Sequence, residues 1–212
     1  MFNGNGDVST QNGYDLRADK ALSNQDAPHN VVMAYVYELP VGKGKRVLSS
    51  ANAVTQSVLG GWKISGTGYY RSGYPLTILS NQNTGLFSGT VRANIVSGVS
   101  LINPSFQGDP RGAPYINRSA FSRPSNFTFG NSGANLPWLR TPGVITEDFS
   151  VGKDFPLFGE GRRLEFKTSL FNVFNRHQFG GINNQVESAN FGIISAQSNG
   201  PREIQFNLRL VF

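Results

Sequence analysis

The sequence contains no cysteine and little charge: of 212 residues, 19 are Lys or Arg and 13 are Asp or Glu, 15% in all. The missing thiols exclude a disulfide-stapled secreted scaffold and any Cys-ligated zinc or iron–sulfur centre. Soluble domains carry about 25% charged residues, so the surface of this chain is poor in charge. Long apolar runs are missing as well. The longest, Val31 to Tyr37, falls far short of the ~20 residues a membrane-spanning helix needs. Met1 to Asp7 has neither a basic stretch nor an apolar one, so no signal peptide is visible. Only two histidines occur, His29 and His177, far apart and with no ligand spacing beside either. Walker A, Gly-x-Ser-x-Gly and metalloprotease motifs are absent. Gly42-Lys43-Gly44-Lys45 lacks the strand–loop–helix setting of a phosphate cradle. The expectation is therefore a protein that is not an enzyme and carries no catalytic residue, metal or other cofactor.

Other residue types are plentiful. Gly numbers 25 and Pro 11, and Phe alone numbers 16, with aromatics at 12%. So much Phe, Tyr, Val, Ile and Leu argues against disorder. The formal net charge is +6, but the cations are scattered. Their one short cluster is Lys43, Lys45 and Arg46. No basic stripe or reading motif accompanies the charge, so no nucleic-acid partner is expected.

Alternation with a period of two is the dominant signal. From Arg202 to Phe212 one face reads Ile204, Phe206, Leu208, Leu210, Phe212 and the other Glu203, Gln205, Asn207, Arg209. Arg163 to Asn175 begins the same way, with Leu164, Phe166, Thr168 and Leu170 opposing Glu165, Lys167 and Ser169. Its phase then blurs at Phe171 and Val173, which a bulge or a local packing contact would explain. Ile145 to Leu157 aligns Phe149, Val151, Phe155 and Leu157. Glu147 and Lys153 interrupt that apolar face near its ends, where long side chains can reach a polar layer. Trp62 to Tyr74 is a fourth strand and Asn30 to Leu39 a fifth. In the fifth, Val32, Ala34 and Val36 make the second face apolar too, so it is expected to be buried on both sides or to line a packed lumen. Tyr14 to Leu22 reads as the remnant of a sixth.

Connections alternate in length. Phe158–Arg162 is a tight turn, whereas Tyr74–Gly143 and Arg176–Pro201 are long and rich in Asn, Gly, Ser and Pro. Within the longer one, Thr90 to Leu101 alternates weakly and predicts an extra strand. Pro40–Gly61 differs: Val47, Leu48, Ala51, Val54, Thr55, Val58 and Leu59 recur at three and four, which predicts a short amphipathic helix stopped by Gly60-Gly61.

Strands of this length exceed the ~5–6 residues usual in soluble sheets and match the 9–11 that cross a bilayer when tilted. Apolar-out, polar-in alternation with alternately short and long loops is the pattern of an outer-membrane barrel. Trp62, Tyr74 and Phe155 sit near strand ends, as interface aromatics do. A soluble β-sandwich, such as a lectin-like carbohydrate-binding module using the long loop, also alternates and remains open on pattern alone. A final strand that ends on Phe212 and the long–short rhythm of the loops favour the membrane.

Several stretches resemble one family. Tyr35-Val36-Tyr37-Glu38-Leu39-Pro40-Val41-Gly42-Lys43-Gly44 resembles the "YxxELPxGKG" segment of TonB-dependent outer-membrane receptors of the Oar-like type, common in Acidobacteria. Gly60-Gly61-Trp62 with Gly66 resembles their "GGWxxxG", and Ser72-Gly73-Tyr74-Pro75-Leu76-Thr77 their "SGxPxT". Phe129-Gly130-Asn131 with Leu139-Arg140-Thr141-Pro142-Gly143 resembles "FGNxGRN…LRGPG", with Thr141 where Gly is usual. Phe171-Asn172-Val173-Phe174-Asn175 resembles their penultimate strand, and Arg202–Phe212 the terminal one. The resemblance spans roughly residues 28–212. Asp15-Leu16-Arg17-Ala18 matches the family's "FDxRH" only loosely.

The resemblance implies an all-β fold: five or six C-terminal strands of an antiparallel, up-and-down transmembrane barrel of 22 strands, with one short helix in a periplasmic turn. Bacterial single-chain barrels start at about eight strands, so five or six imply part of a larger barrel. Residues 1–27 would be a partial strand leading in, and 28–212 the barrel segment with a long extracellular loop at 75–142. It implies a Gram-negative outer-membrane transporter taking up large solutes such as siderophores or oligosaccharides. Expected partners are outer-membrane lipid, an unknown solute, the barrel assembly machinery, and TonB through a plug and TonB box outside this chain. Gln205, Phe206, Leu208, Leu210 and Phe212 would form the assembly signal, with Asn207 where Gly is usual. Lys63, Thr67, Tyr69, Arg71, Glu165, Lys167, Glu203, Asn207 and Arg209 would face the lumen, unless they merely pair across strands.

Overall fold

The computed structural model describes residues 10–81, 91–158 and 161–212. The Met1–Asp7 stretch, Thr90 with part of the 75–142 loop, and the middle of the Phe158–Arg162 turn lie outside the described residues. The chain divides into two compact units.

One unit comprises His29–Arg71, Ile145–His177 and Gly200–Phe212. Its sheet has five strands that neighbour one another in chain order: Asn30–Glu38, Trp62–Arg71, Val144–Pro156, Arg163–Phe171 and Glu203–Val211. These are the five alternating segments, each ending one to four residues sooner, with the third beginning one residue earlier, at Val144, and the fifth one later, at Glu203. The second strand stops at Arg71, so Tyr74 is not on it. The first strand pairs antiparallel with the second, and the fourth antiparallel with both third and fifth.

Directly opposed residues share a face, so the register fixes both surfaces of the sheet. Tyr35 faces Gly66 and Tyr37 faces Ile64; Leu164 lies between Phe155 and Leu210, and Thr168 between Val151 and Phe206. Trp62 meets Phe166 edge-on at 6.2 Å, which joins the two halves of this apolar face. Gly66 has a physical reason: a Cβ there would lie 2.5 Å from the Tyr35 hydroxyl, so the ring of Tyr35 lies across it.

The first strand departs from expectation. Among the described residues neither of its faces is buried, and Val32 and Val36 are exposed on the second face. It is an edge strand with a neighbour on one side only, so nothing within the sheet flanks its inner valines.

The blurred phase after Leu170 is a bulge. Leu170 stands opposite Phe149, which would set Asn172 opposite Glu147. Instead Val173 N–H donates to the Glu147 carbonyl at 2.9 Å, and Asn172 adopts φ 49°. One extra residue is absorbed, and Val173 returns to the side of Tyr70, Glu147 and Phe149, with which it lines one depression.

The helix is shorter than predicted, Ala53–Leu59 only. Asn52 caps it by accepting from Thr55 N–H at 2.8 Å. Val47 instead bridges Val41, and Leu48 takes φ 59°, which no helix accommodates. Tyr14–Leu22 is not a strand: it holds a 3-10 turn, Leu16–Asp19, begun by Asp15 accepting from Arg17 N–H. Local side-chain-to-backbone bonds win over weak alternation there.

The other unit gathers Met1–Pro28, Ser72–Val144 and Gln178–Asn199, including most of both long connections. They are folded around their own core of Ile78, Ile116, Phe121, Leu139, Phe191 and Ile194 with smaller neighbours. Among the described residues four short ribbons frame it: Pro75–Leu76 with Leu136–Arg140, Leu79–Ser80 with Val91–Arg92, Asn94–Ile95 with Phe121–Ser122, and Phe179–Ile182 with Ile194–Gln197. The weak alternation after Thr90 thus becomes two dipeptide strands.

Polar groups pin this unit. Arg92 is 1% exposed. Its guanidinium donates to Asp19 Oδ1 at 2.6 Å, to the Ser132 carbonyl at 2.9 Å and to the Ala18 carbonyl at 3.1 Å. Gln11 accepts from Arg92 N–H and donates to the Gly130 carbonyl. Gly130 is required, since a Cβ there would lie 1.8 Å from the Arg92 carbonyl oxygen. Arg140 likewise ties Asp26 (2.6 Å) to the Gly73 carbonyl. Glu187 accepts from the Ser80 hydroxyl and from Asn81 N–H.

Breaking a buried ion pair from one side costs about 3–5 kcal/mol, more than replacing both partners. Arg92→Met is therefore expected to lower the stability of the loop unit by about 3 kcal/mol, and Asp19→Asn added to it to recover part of the loss. Protease resistance of the loops against denaturant concentration reads both; equal loss in single and double variants would refute the pairing.

Burial opposes ionisation of Glu187, but the Ser80 hydroxyl, the Asn81 and Glu187 N–H groups and Arg123 outweigh it and hold the carboxyl below its ordinary value of 4.5. The folded form thus favours the ionised carboxylate. Its contribution is present above the unfolded value and disappears as pH falls through the lower folded one. Wild type should be more stable than Glu187→Gln at pH 6 and converge with it in acid; parallel pH profiles of the two midpoints would contradict this.

Candidate functional site

The polar face of the five-stranded sheet is the candidate site. All nine residues expected to face a lumen lie on it. Lys63, Thr67, Tyr69 and Arg71 oppose Glu38, Ala34, Val32 and Asn30. Glu165, Lys167 and Phe171 oppose Arg209, Asn207 and Glu203.

At the end of the sheet nearest the short connections, charges alternate across the strands. Lys45 pairs with Glu38 at 3.0 Å, Glu38 with Lys63 at 4.0 Å, and Lys63 with Asp154 at 3.8 Å. Asp154 stands opposite Glu165, and Glu165 is balanced by Arg163 at 2.7 Å and Arg209 at 3.9 Å. These pairs are exposed, so each adds at most about 1 kcal/mol. Their effect is to order a charged band. Cross-strand pairing thus accounts for Lys63, Glu165 and Arg209.

Above the band four hydroxyl residues lie close together, beside the larger Val36 and Phe171. Ser65, Thr67, Ser150 and Ser169, with Lys167 and Asp148, line an open depression of about 440 Å³. The hydroxyls and the Lys167 ammonium, which has no ion pair among the described residues, give it hydrogen-bonding capacity. Among the described residues no His, Asp or Glu cluster is arranged to hold a metal ion.

On the apolar face the two interruptions each find partners. Glu147 accepts from the Tyr70 hydroxyl at 2.9 Å and from Arg176 Nε at 2.5 Å. The Glu147 bond and its charge make Arg176 hold its proton more firmly than an ordinary arginine. Lys153, 4% exposed, donates to the Ser57 carbonyl and lies 4.9 Å from the Phe155 ring and 5.5 Å from that of Trp62. Sequence reasoning marked Glu147 and Lys153 as breaks in the pattern but not their partners, which come from other strands and connections.

The three interface aromatics separate. Trp62 and Phe155 share the apolar face at the end of the short connections. Tyr74 belongs to the loop unit, where its N–H donates to Thr141 Oγ1. In the last strand Phe206, Leu208 and Leu210 share the apolar face and Gln205 the polar one, opposite Ser169. Phe212 follows the strand and is almost fully exposed.

No helix among the described residues is long and apolar enough to cross a membrane. Residues 1–205 match the family described as "Outer membrane beta barrel domain". No curated protein matches the chain, and no solved structure does. The match spans nearly the whole sequence and agrees with a two-faced antiparallel sheet of bilayer-length strands. The chain belongs to the outer-membrane β-barrel domain family, an all-β fold resident in the outer membrane.

Proposed function

We propose that the chain is the C-terminal barrel segment of a TonB-dependent receptor of the Oar-like type that takes up large solutes across the outer membrane. The observation that carries this is the division of one sheet into a continuous apolar face and a face of small hydroxyls bounded by a charged band. In this reading the apolar face meets lipid and the polar face lines the lumen. Both long connections leave the strand ends opposite the short turns, where a receptor presents its solute-capturing loops. The motif-by-motif resemblance, from Tyr35–Gly44 to the last strand, adds the TonB-dependent class. A lectin-like β-sandwich would need a second sheet packed on one face. Among the described residues, the unit that holds the sheet has none.

Two open edges, Asn30–Glu38 and Glu203–Val211, need neighbours, because unpaired strand edges are not tolerated in lipid. Further strands of the barrel supply them in this reading. The assembly machinery would engage the Glu203–Val211 edge, with Gln205, Phe206, Leu208, Leu210 and Phe212 as its signal. TonB would act through a plug and TonB box outside this chain.

Uptake of a panel of labelled siderophores and oligosaccharides, with and without the gene, tests the transport class. At least one solute should accumulate only with the gene and only while the proton gradient is intact. Gene-dependent flux that survives collapse of the gradient would make the protein a passive pore instead. Replacing Leu210 and Phe212 by Asn should leave synthesis intact and abolish membrane insertion, read by heat-modifiable gel migration; normal insertion would remove the assembly role.

A further inference from the structure

The helix Ala53–Leu59 is built inside out. Of its three polar residues, Thr55 and Gln56 are half-buried and Ser57 is exposed, its hydroxyl donating to the Val54 carbonyl, while Gln56 donates to the Leu48 carbonyl at 2.6 Å. Val54, Val58 and Leu59 are exposed, Val54 at 73% and Val58 at 58%. None of the helix residues is buried. A short helix in water normally hides its apolar stripe; this one presents it.

Two bonds fix the helix to one side of the sheet. Trp62 Nε1–H donates to the Val58 carbonyl at 2.9 Å, and Lys153 Nζ donates to the Ser57 carbonyl. Trp62 and Lys153 both lie on the apolar face, at the end where Glu38 and Trp62 are joined. Lys153 therefore spends its charge on a carbonyl of the helix's last turn, where a cation is favourable. The last turn of the helix is thus held to the apolar side of the sheet's end, and Val54, Val58 and Leu59 are exposed beside it. The connection Pro40–Gly61 also carries Lys43, Lys45 and Arg46 and no acidic residue. Lys45 is engaged by Glu38, while Lys43 and Arg46 are exposed.

We propose that this connection is a phospholipid-binding collar of the periplasmic leaflet. Val54, Val58 and Leu59 lie at the boundary of headgroups and acyl chains, and Lys43 and Arg46 contact anionic headgroups. The apolar helix face supplies burial in the interface, and the cations supply charge complementarity. The inference rests on the apolar sheet face being the lipid face.

Single nitroxide labels are placed at Val58, Ser49 and Leu208 through introduced cysteines; these 212 residues contain no cysteine, and any elsewhere in the gene product is first replaced by serine. The full-length gene product is reconstituted in vesicles of phosphatidylethanolamine and phosphatidylglycerol. Collision with oxygen and with a water-soluble nickel complex then reports depth. The Val58 label should be lipid-exposed at headgroup depth, Leu208 deeper, and Ser49 in water. A Val58 label as nickel-accessible as Ser49, with Leu208 in lipid, overturns the collar alone. A water-exposed Leu208 overturns the barrel reading beneath it. Spin-labelled phosphatidylglycerol should be preferred over phosphatidylcholine by roughly fivefold for each engaged cation, and so by up to roughly thirtyfold for Lys43 and Arg46 together. Lys43→Gln with Arg46→Gln should abolish that preference while the Val58 depth stays. An unchanged preference would refute the role of the cations.

Discussion

Everything in the sheet depends on side chains alternating with a period of two while the register between strands stays fixed. A slip of one residue would carry every Phe and Leu to the charged side and every Lys and Glu to the apolar side. The chain controls this point locally. Where the fourth strand runs past Leu170, one residue more than the ladder needs is taken up at Asn172, in a left-handed conformation that Asn tolerates. Val173 is thereby returned to the apolar side. The bulge corrects the phase and also sets Asn172 N–H on the Asp148 carboxylate at 2.9 Å.

The same rule explains why polar exceptions on the apolar face sit at its ends. A Glu or Lys in mid-strand on that side would lie among apolar side chains with no polar partner. Glu147 stands where Tyr70 and Arg176 can reach it, and Lys153 where the helix offers a carbonyl. Each exception links the sheet to a connection, so the breaks in the pattern are the points where the sheet is fastened to its turns. On the polar side the logic is looser. Exposed charges tolerate distances near 4 Å because water screens them, and the band they form needs only the right sign order across neighbouring strands.

The loop unit obeys a different economy. Long connections rich in Gly, Asn and Pro lose much chain entropy when ordered, and short ribbons alone do not offset it. Here a compact apolar core is combined with polar anchors that satisfy buried backbone carbonyls. Arg92 serves three acceptors from one guanidinium, and Arg140 does the same around Asp26 and Gly73. Neither arginine stands out in sequence. Both acquire their role from carbonyls brought together from 40 or more residues away.

The sequence by itself determined the five strands, their faces and the outer-membrane barrel class, because period-two alternation over nine or more residues survives any packing detail. It also located the lumen candidates on one face and marked Glu147 and Lys153 as exceptions. Only the tertiary structure decided the rest. Tyr14–Leu22 turned into a 3-10 turn because Asp15 found Arg17 N–H nearby. The helix shrank to Ala53–Leu59 because Asn52 caps there and Leu48 cannot be helical. Tyr74 left the strand for Thr141, and the long loops became a folded unit. In each case the deciding partner lies off the local pattern, in another residue's hydrogen-bonding group, and periodicity carries no information about such partners.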